Sequence, residues 1–155
     1  TDAAYGGSAK AWTTGNQQIV GNQLTGTASA GASRLNAGQT NHRIEAVLKN
    51  AYGVGLMVGF IDTSNYYYAI PTSSTLQLWM RSAGANSQLA SFTTTVKPFD
   101  TFALARVDDK LVVYVNDYEV GRVTDTTLAT GTFVGVRTAA ADTSSAIDDL
   151  VVRAS

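Results

Sequence analysis

Gln77, Trp79 and Arg81 alternate with Leu76, Leu78 and Met80 along one short run. Successive side chains of an extended strand point to opposite faces. With the three apolar residues turned inward, an indole stands outward between an amide and a guanidinium. That set suits a saccharide: the ring face stacks on the sugar's C–H face while its polar neighbours bond the hydroxyls. Tyr66 and Tyr68 on the preceding run extend such a platform, or Tyr67 does in the other register. Packing under a loop or at a subunit contact is the competing role for Trp79, because Trp, Tyr and Arg are also enriched at protein interfaces.

Carboxylates offer a second chemistry. Asp148 and Asp149, with Asp62 or Asp142 from loops, present the oxygen ligands that Ca²⁺ prefers. The alternative is that one of the pair caps a turn by accepting backbone N–H bonds. Catalysis by two carboxyl groups needs them about 5–5.5 Å apart for retention or about 6.5–9.5 Å for inversion. The only glutamates, Glu45 and Glu119, lie far apart in the chain, each in a plain strand pattern. His42, the single histidine, sits beside Arg43 at the start of a strand. An ordinary surface or hydrogen-bonding role is expected for it rather than a place in a nucleophilic triad. No enzyme is expected.

The run from Thr101 to Thr124 frames these candidates. Three β-rich segments are separated by Asp108-Asp109 and Asn116-Asp117, and Asn/Asp pairs tolerate the positive φ of tight hairpins. Leu111, Val113 and Val115 share one face of the middle segment, and Lys110, Val112, Tyr114 and Asn116 the other. Upstream, Gln18–Val20 and Gln23–Gly26 form a hairpin around Gly21-Asn22, and residues 28–41 read as a weak edge strand plus loop. Arg43–Lys49 alternates, Val54–Ile61 is apolar as in a strand covered on both sides, and Tyr66–Ile70 is an aromatic strand ended by Pro71. Gln88–Phe92, Thr132–Arg137 and Ala146–Arg153 complete eleven or twelve strands at the spacing of a sandwich or barrel. The fold class is all-β, a single domain over residues 1–155, with 1–16 a lead-in segment in which Trp12 covers one end of the core.

The balance of the chain excludes some partners. Its 155 residues carry a formal net charge of -1, and its four Lys and seven Arg are scattered. Nucleic acid is therefore not expected, since phosphate binding needs clustered cations. No apolar run approaches the ~18 residues of a membrane span. The absence of Cys rules out disulfides and thiolate metal sites. The opening Thr1-Asp2-Ala3 lacks a charged-then-apolar leader, and this abrupt start is expected of a piece of a longer protein or a processed chain.

The order of motifs carries a resemblance over residues 12–153. "W-T-T-G-N-Q-Q-I-V-G-N-Q-L" from Trp12, "G-V-G-L-M-V-G-F" from Gly53, "Y-Y-Y-A-I" from Tyr66, "L-Q-L-W-M-R" from Leu76, "K-L-V-V-Y-V-N-D-Y-E-V-G-R-V-T-D" from Lys110 and "I-D-D-L-V-V" from Ile147 follow one another. Together they resemble the concanavalin A-like/laminin-G-like jelly-roll superfamily. More narrowly, they resemble modules of bacteriophage tail, fibre and head-decoration proteins and of secreted bacterial carbohydrate-binding proteins. The turn usually written Asn-Gly is Asn116-Asp117 here. The resemblance implies two antiparallel sheets of five to seven strands, packed face to face. It also implies sugar binding on the concave face or loop rim, in some members beside Ca²⁺, or a purely structural role. The glycosidases of the superfamily carry a Glu-x-Asp-x-x-Glu arrangement, which this chain lacks.

The expectation is thus a non-enzymatic virion or extracellular surface module. Its partners would be a cell-surface glycan, other virion proteins and copies of itself in a homo-oligomer. The alternative is a carbohydrate-binding module of a secreted bacterial enzyme. No cofactor is required by this reading, with Ca²⁺ at Asp148 and Asp149 the one candidate.

Overall fold

The computed structural model describes residues 3–5, 8–10, 13, 17–20, 23–26, 31–50, 52–138 and 146–155, and side chains at 13, 24, 31–50, 52–138 and 146–155. Trp12 and Asp142 lie outside the described residues. The strands are, in chain order, β1 (Ala3–Tyr5), β2 (Ser8–Lys10), β3 (Gln17–Val20), β4 (Gln23–Gly26) and β5 (Gly31–Asn36). Then come β6 (His42–Asn50), β7 (Val54–Asp62), β8 (Asn65–Pro71), β9 (Thr75–Ser82) and β10 (Ala85–Thr93). The last are β11 (Thr101–Val107), β12 (Lys110–Val115), β13 (Tyr118–Thr124), β14 (Phe133–Thr138) and β15 (Ala146–Ala154).

Two antiparallel sheets result. One has six strands in the order β10-β9-β8-β7-β14-β5, the other seven in the order β13-β12-β11-β6-β15-β4-β3. The fold is the all-β jelly-roll sandwich expected from the strand pattern. Two details differ from the sequence reading. The lead-in segment contains a small ladder of its own, β1 against β2. And β10 runs nine residues instead of five, because it is an edge strand whose polar, exposed positions hide its length from an apolar pattern.

Turn chemistry sets the register. Asn116 and Asp117 both have positive φ, 50° and 65°, as the hairpin between β12 and β13 requires. The Asn116 side chain fastens that hairpin to its neighbour: its carboxamide oxygen accepts from the Thr101 N–H at 3.0 Å, and its NH₂ donates to Asp100 at 2.9 Å. At the β7–β8 turn Asp62 accepts the Ser64 N–H at 2.7 Å and bonds the Asn65 side chain.

The core fills the space between the sheets. Leu56, Tyr67, Leu78, Phe102, Leu104 and Val136 belong to its main cluster. The six-stranded sheet buries a second cluster on its opposite, outer face: Met57, Phe60, Tyr66 and Tyr68, with Trp79 and Phe133 packed against it. A backbone irregularity makes this double burial possible. Val58 packs into the main core and Phe60 into the outer cluster, although two residues of equal parity should share a face. Gly59 between them has φ +58° and sits where the β7–β8 register shifts, a bulge that reverses the alternation. The space beside it is filled by the chain: a Cβ on Gly131 would lie 2.1 Å from the Gly59 carbonyl oxygen.

His42 is wholly buried at this bulge, not at the surface. Its Nδ1 lies 2.9 Å from the Gln39 carbonyl, and its Nε2 accepts the Gly59 N–H at 3.2 Å. Those two bonds fix a neutral imidazole with the proton on Nδ1. Burial lowers its pKa to about 4, against a partly compensating hydrogen bond donated to the Gln39 carbonyl, and the nearby Arg106 adds to the lowering. The sequence context Asn-His-Arg gave no sign of this, because the partner is the bulge glycine of a different strand.

Candidate functional site

Alternation on β9 is as the sequence suggested. Leu76 and Leu78 are fully buried in the main core and Met80 packs against it, which turns Gln77, Trp79 and Arg81 to the outer face. Trp79 is half-buried; its indole N–H donates to the Gln77 side-chain oxygen at 3.0 Å. Arg81 is held in place by its Nε donating to the Thr63 carbonyl at 3.1 Å and its Nη1 to Asn86 at 3.4 Å. Across the ladder Trp79 faces Tyr68, and Arg81 faces Tyr66.

Tyr66 and Tyr68 share the outer face, and Tyr67 points into the core. The register left open by the sequence is therefore settled in favour of the first. The two tyrosines are not an open platform, however: they are only 6% and 5% exposed. Tyr68 lies parallel to Trp79, the planes 7° apart and the centroids 6.2 Å. Tyr66 stacks on Phe60 at 5.5 Å. These rings form a floor, at whose surface Trp79 and Phe133 are half-buried.

Two residues of this face were missed by the sequence reading. Arg137 on β14 places its guanidinium carbon 4.3 Å from the Tyr68 ring centroid, and Arg34 on β5 places its own 5.3 Å from that of Phe60. The one available signal was parity, since Val134 and Val136 are buried and Arg137 must alternate with them. Nothing in the linear chain says that β14 and β5 lie beside β7. An open cleft of about 250 Å³ crosses this face, with Tyr66, Arg81 and Thr63 on one side and Arg137, Thr138 and Ala32 on the other.

The carboxylate candidates fall elsewhere. Glu45 lies on β6 of the seven-stranded sheet between Arg43 and Arg153, and pairs with both. Glu119 pairs with Arg122 at 2.6 Å on β13. Asp148 pairs with Lys49 at 3.4 Å and accepts the Asp149 N–H at 2.9 Å; Asp149 has φ +48° at a register shift of β15. Asp62 serves its own turn. Among the described residues no group of three or more His, Asp or Glu is arranged to hold a metal ion. No helix among them is long and apolar enough to cross a membrane.

No family model matches the chain, and no curated protein sequence matches it. Solved structures do. The chain is similar to the carbohydrate-binding module CBM66 from Bacillus subtilis, with 17% identity, TM-score 0.71, and 91% of this chain and 94% of that one covered. It is also similar to the exoplasmic/lumenal domain of VIP36 in its Ca²⁺/Man3GlcNAc-bound form, at 12% identity and TM-score 0.60, covering 91% and 81%. A third is a GH43 protein from Bacillus licheniformis, at 13% identity and TM-score 0.59, where 96% of this chain spans 33% of the other. At these identities the likeness is one of fold: a jelly-roll sandwich shared with carbohydrate-binding and lectin domains.

Proposed function

We propose that the chain is a non-catalytic carbohydrate-binding module that holds a glycan on the outer face of its six-stranded sheet. The observation that carries this reading is Trp79, half-buried between Gln77 and the anchored Arg81, the last of which lines an open cleft. A fixed indole flanked by fixed hydrogen-bonding groups loses little freedom on binding. The fold shared with a carbohydrate-binding module and a lectin domain supports it. The non-catalytic part rests on the carboxylates. None of the strands that build this face contributes a glutamate, so the acid–base pair of a glycosidase has no counterpart there.

The setting of the module is a finer proposal. Attachment to a secreted bacterial enzyme is supported by the near-full coverage of CBM66 and by the likeness to one third of a GH43 chain. A virion-surface role, adhesion to host glycans or particle decoration by a homo-oligomer, is supported by the order of strand and turn motifs alone. Ca²⁺ at Asp148 and Asp149 is likewise a proposal; the ion would displace Lys49 from Asp148.

The test is a glycan array probed with the wild type and with Trp79→Ala, each with and without Ca²⁺. Binding by the wild type that falls at least about tenfold in a folded Trp79→Ala variant supports the reading. Wild type that captures no glycan at high module density rules it out.

A further inference from the structure

We infer that the glycan taken by this face is acidic, a polysaccharide bearing carboxylate groups, gripped by Arg34, Arg81 and Arg137. The inference rests on the glycan-binding reading above and adds the charge of the ligand to it.

The distribution of charge is the starting point. The six strands β5, β7, β8, β9, β10 and β14 contain three arginines, no lysine and one acid, Asp62. All three arginines stand on the outer face. Asp62 is engaged within the β7–β8 turn by Ser64 and Asn65. The six ion pairs among the described residues, by contrast, all belong to the seven-stranded sheet and its hairpins. None involves Arg34, Arg81 or Arg137. Three guanidiniums gathered on one face without a carboxylate repel one another, a cost that an anionic ligand removes.

Their geometry suits planar anions. Arg137 and Arg34 lie over Tyr68 and Phe60, and a guanidinium stacked on a ring keeps its in-plane N–H donors free for a carboxylate. Arg81 is fixed through Nε and Nη1, which leaves Nη2 as a donor toward the cleft. Arg81 and Arg137 start three strand spacings apart, about 14 Å, yet both line the same cleft. Arg34 stands on β5, the neighbour of β14, where it faces Gly135. The cations thus run across the sheet rather than meeting at a point, as recognition of a polymer with repeated charges requires. Trp79 and the amides of Gln77 and Asn86, on β9 and β10, supply sugar contacts at the Arg81 end of this row. Nucleic acid is the poorer fit, because phosphate-driven binding rests on about six to ten cationic contacts.

The experiment is affinity electrophoresis and calorimetry at low salt. The polymers are polygalacturonate, carboxyl-reduced polygalacturonate, neutral mannan and levan, poly-glutamate and single-stranded DNA. The proteins are wild type, Trp79→Ala, Arg81→Gln, Arg137→Gln and Arg137→Lys, each checked for folding. Arg137→Lys keeps a cation over Tyr68, so a loss there reports the planar contact rather than the packing. The inference expects binding of polygalacturonate, at least about tenfold weaker binding of the reduced polymer, and a similar loss in each arginine variant. Neutral polymers bound as tightly, and lost on Trp79→Ala, would overturn the acidic-ligand inference while leaving the glycan site standing. Poly-glutamate or DNA bound as well as polygalacturonate would overturn it as plain ion exchange. Capture of none of the polymers would overturn both.

Discussion

The guanidinium of Arg137 sits over the ring of Tyr68 at 4.3 Å, and Trp79 lies parallel to that ring at 6.2 Å. Tyr68 is buried while Trp79 is half-buried, so removing the two rings should cost different amounts of stability. Tyr68→Ala is expected to destabilise the fold by about 3 kcal/mol, the range for a buried aromatic. Trp79→Ala is expected to cost less, about 1–2 kcal/mol, as part of its surface is already wet. Urea denaturation of the two variants checks the order. A Trp79→Ala penalty equal to that of Tyr68→Ala would mean that the indole is core.

Acid should weaken the fold through His42. Its native pKa of about 4 lies below the ordinary 6.5, so the unfolded chain binds a proton that the folded one refuses. The contribution is complete above pH 6.5 and is lost as the pH falls toward 4. A depression of that size corresponds to about 3 kcal/mol. Denaturation midpoints measured across this window should fall for the wild type. They should flatten in His42→Leu, which starts less stable because the Gly59 N–H loses its acceptor.

Base should act through Tyr67. Burial raises its pKa to about 12, and its hydrogen bond to Asp125 adds to this. Its hydroxyl donates to Asp125 at 2.6 Å and accepts the Leu128 N–H at 2.9 Å, so one phenol anchors the segment after β13. Arg106 secures the same segment by donating to the Leu128 and Ala129 carbonyls. Because the folded pKa is raised, stability is whole below pH 10 and lost as the pH climbs toward 12. Tyr67→Phe removes that alkaline loss and costs about 1–3 kcal/mol at neutral pH, since it strands the buried Leu128 N–H. Amide exchange should speed up at Leu128 in the variant; unchanged protection there would show that Arg106 suffices.

Closure of the sandwich along one side depends on Gly121. A Cβ at this position of β13 would fall 2.1 Å from the ring of Phe92 on β10, so the two edge strands meet ring against backbone. Gly121→Val is expected to destabilise by about 1–3 kcal/mol through overpacking. Phe92→Ala in the same chain should recover part of that loss. A double-mutant cycle with no coupling would disprove the contact.

The sandwich could be read from alternation and turn chemistry. Asn116-Asp117 marks a positive-φ hairpin, and the β9 alternation by itself puts Leu76 and Leu78 inside and Trp79 outside. What escaped was whatever depends on which strands become neighbours. Arg34, Arg81 and Arg137 are scattered along the chain, and only the order β9-β8-β7-β14-β5 gathers them. The burial of Tyr66 and Tyr68 escaped for a related reason. Part of their cover, Phe60, reaches that side of the sheet through the Gly59 bulge, and a period-two reading of β7 cannot anticipate a change of parity.

Keeping the ion pairs on one sheet and the lone arginines on the other makes the domain a small electric dipole despite a formal charge of -1. The two sheets stand about 10 Å apart, and at physiological ionic strength the screening length is about 8 Å. A large anion approaching the arginine side is therefore largely shielded from the acids behind it. At long range and low salt it meets a nearly neutral particle; close by, a cationic one. Added salt consequently changes the orientation of first encounter as well as its rate, since the torque that turns the domain before contact is screened along with the attraction.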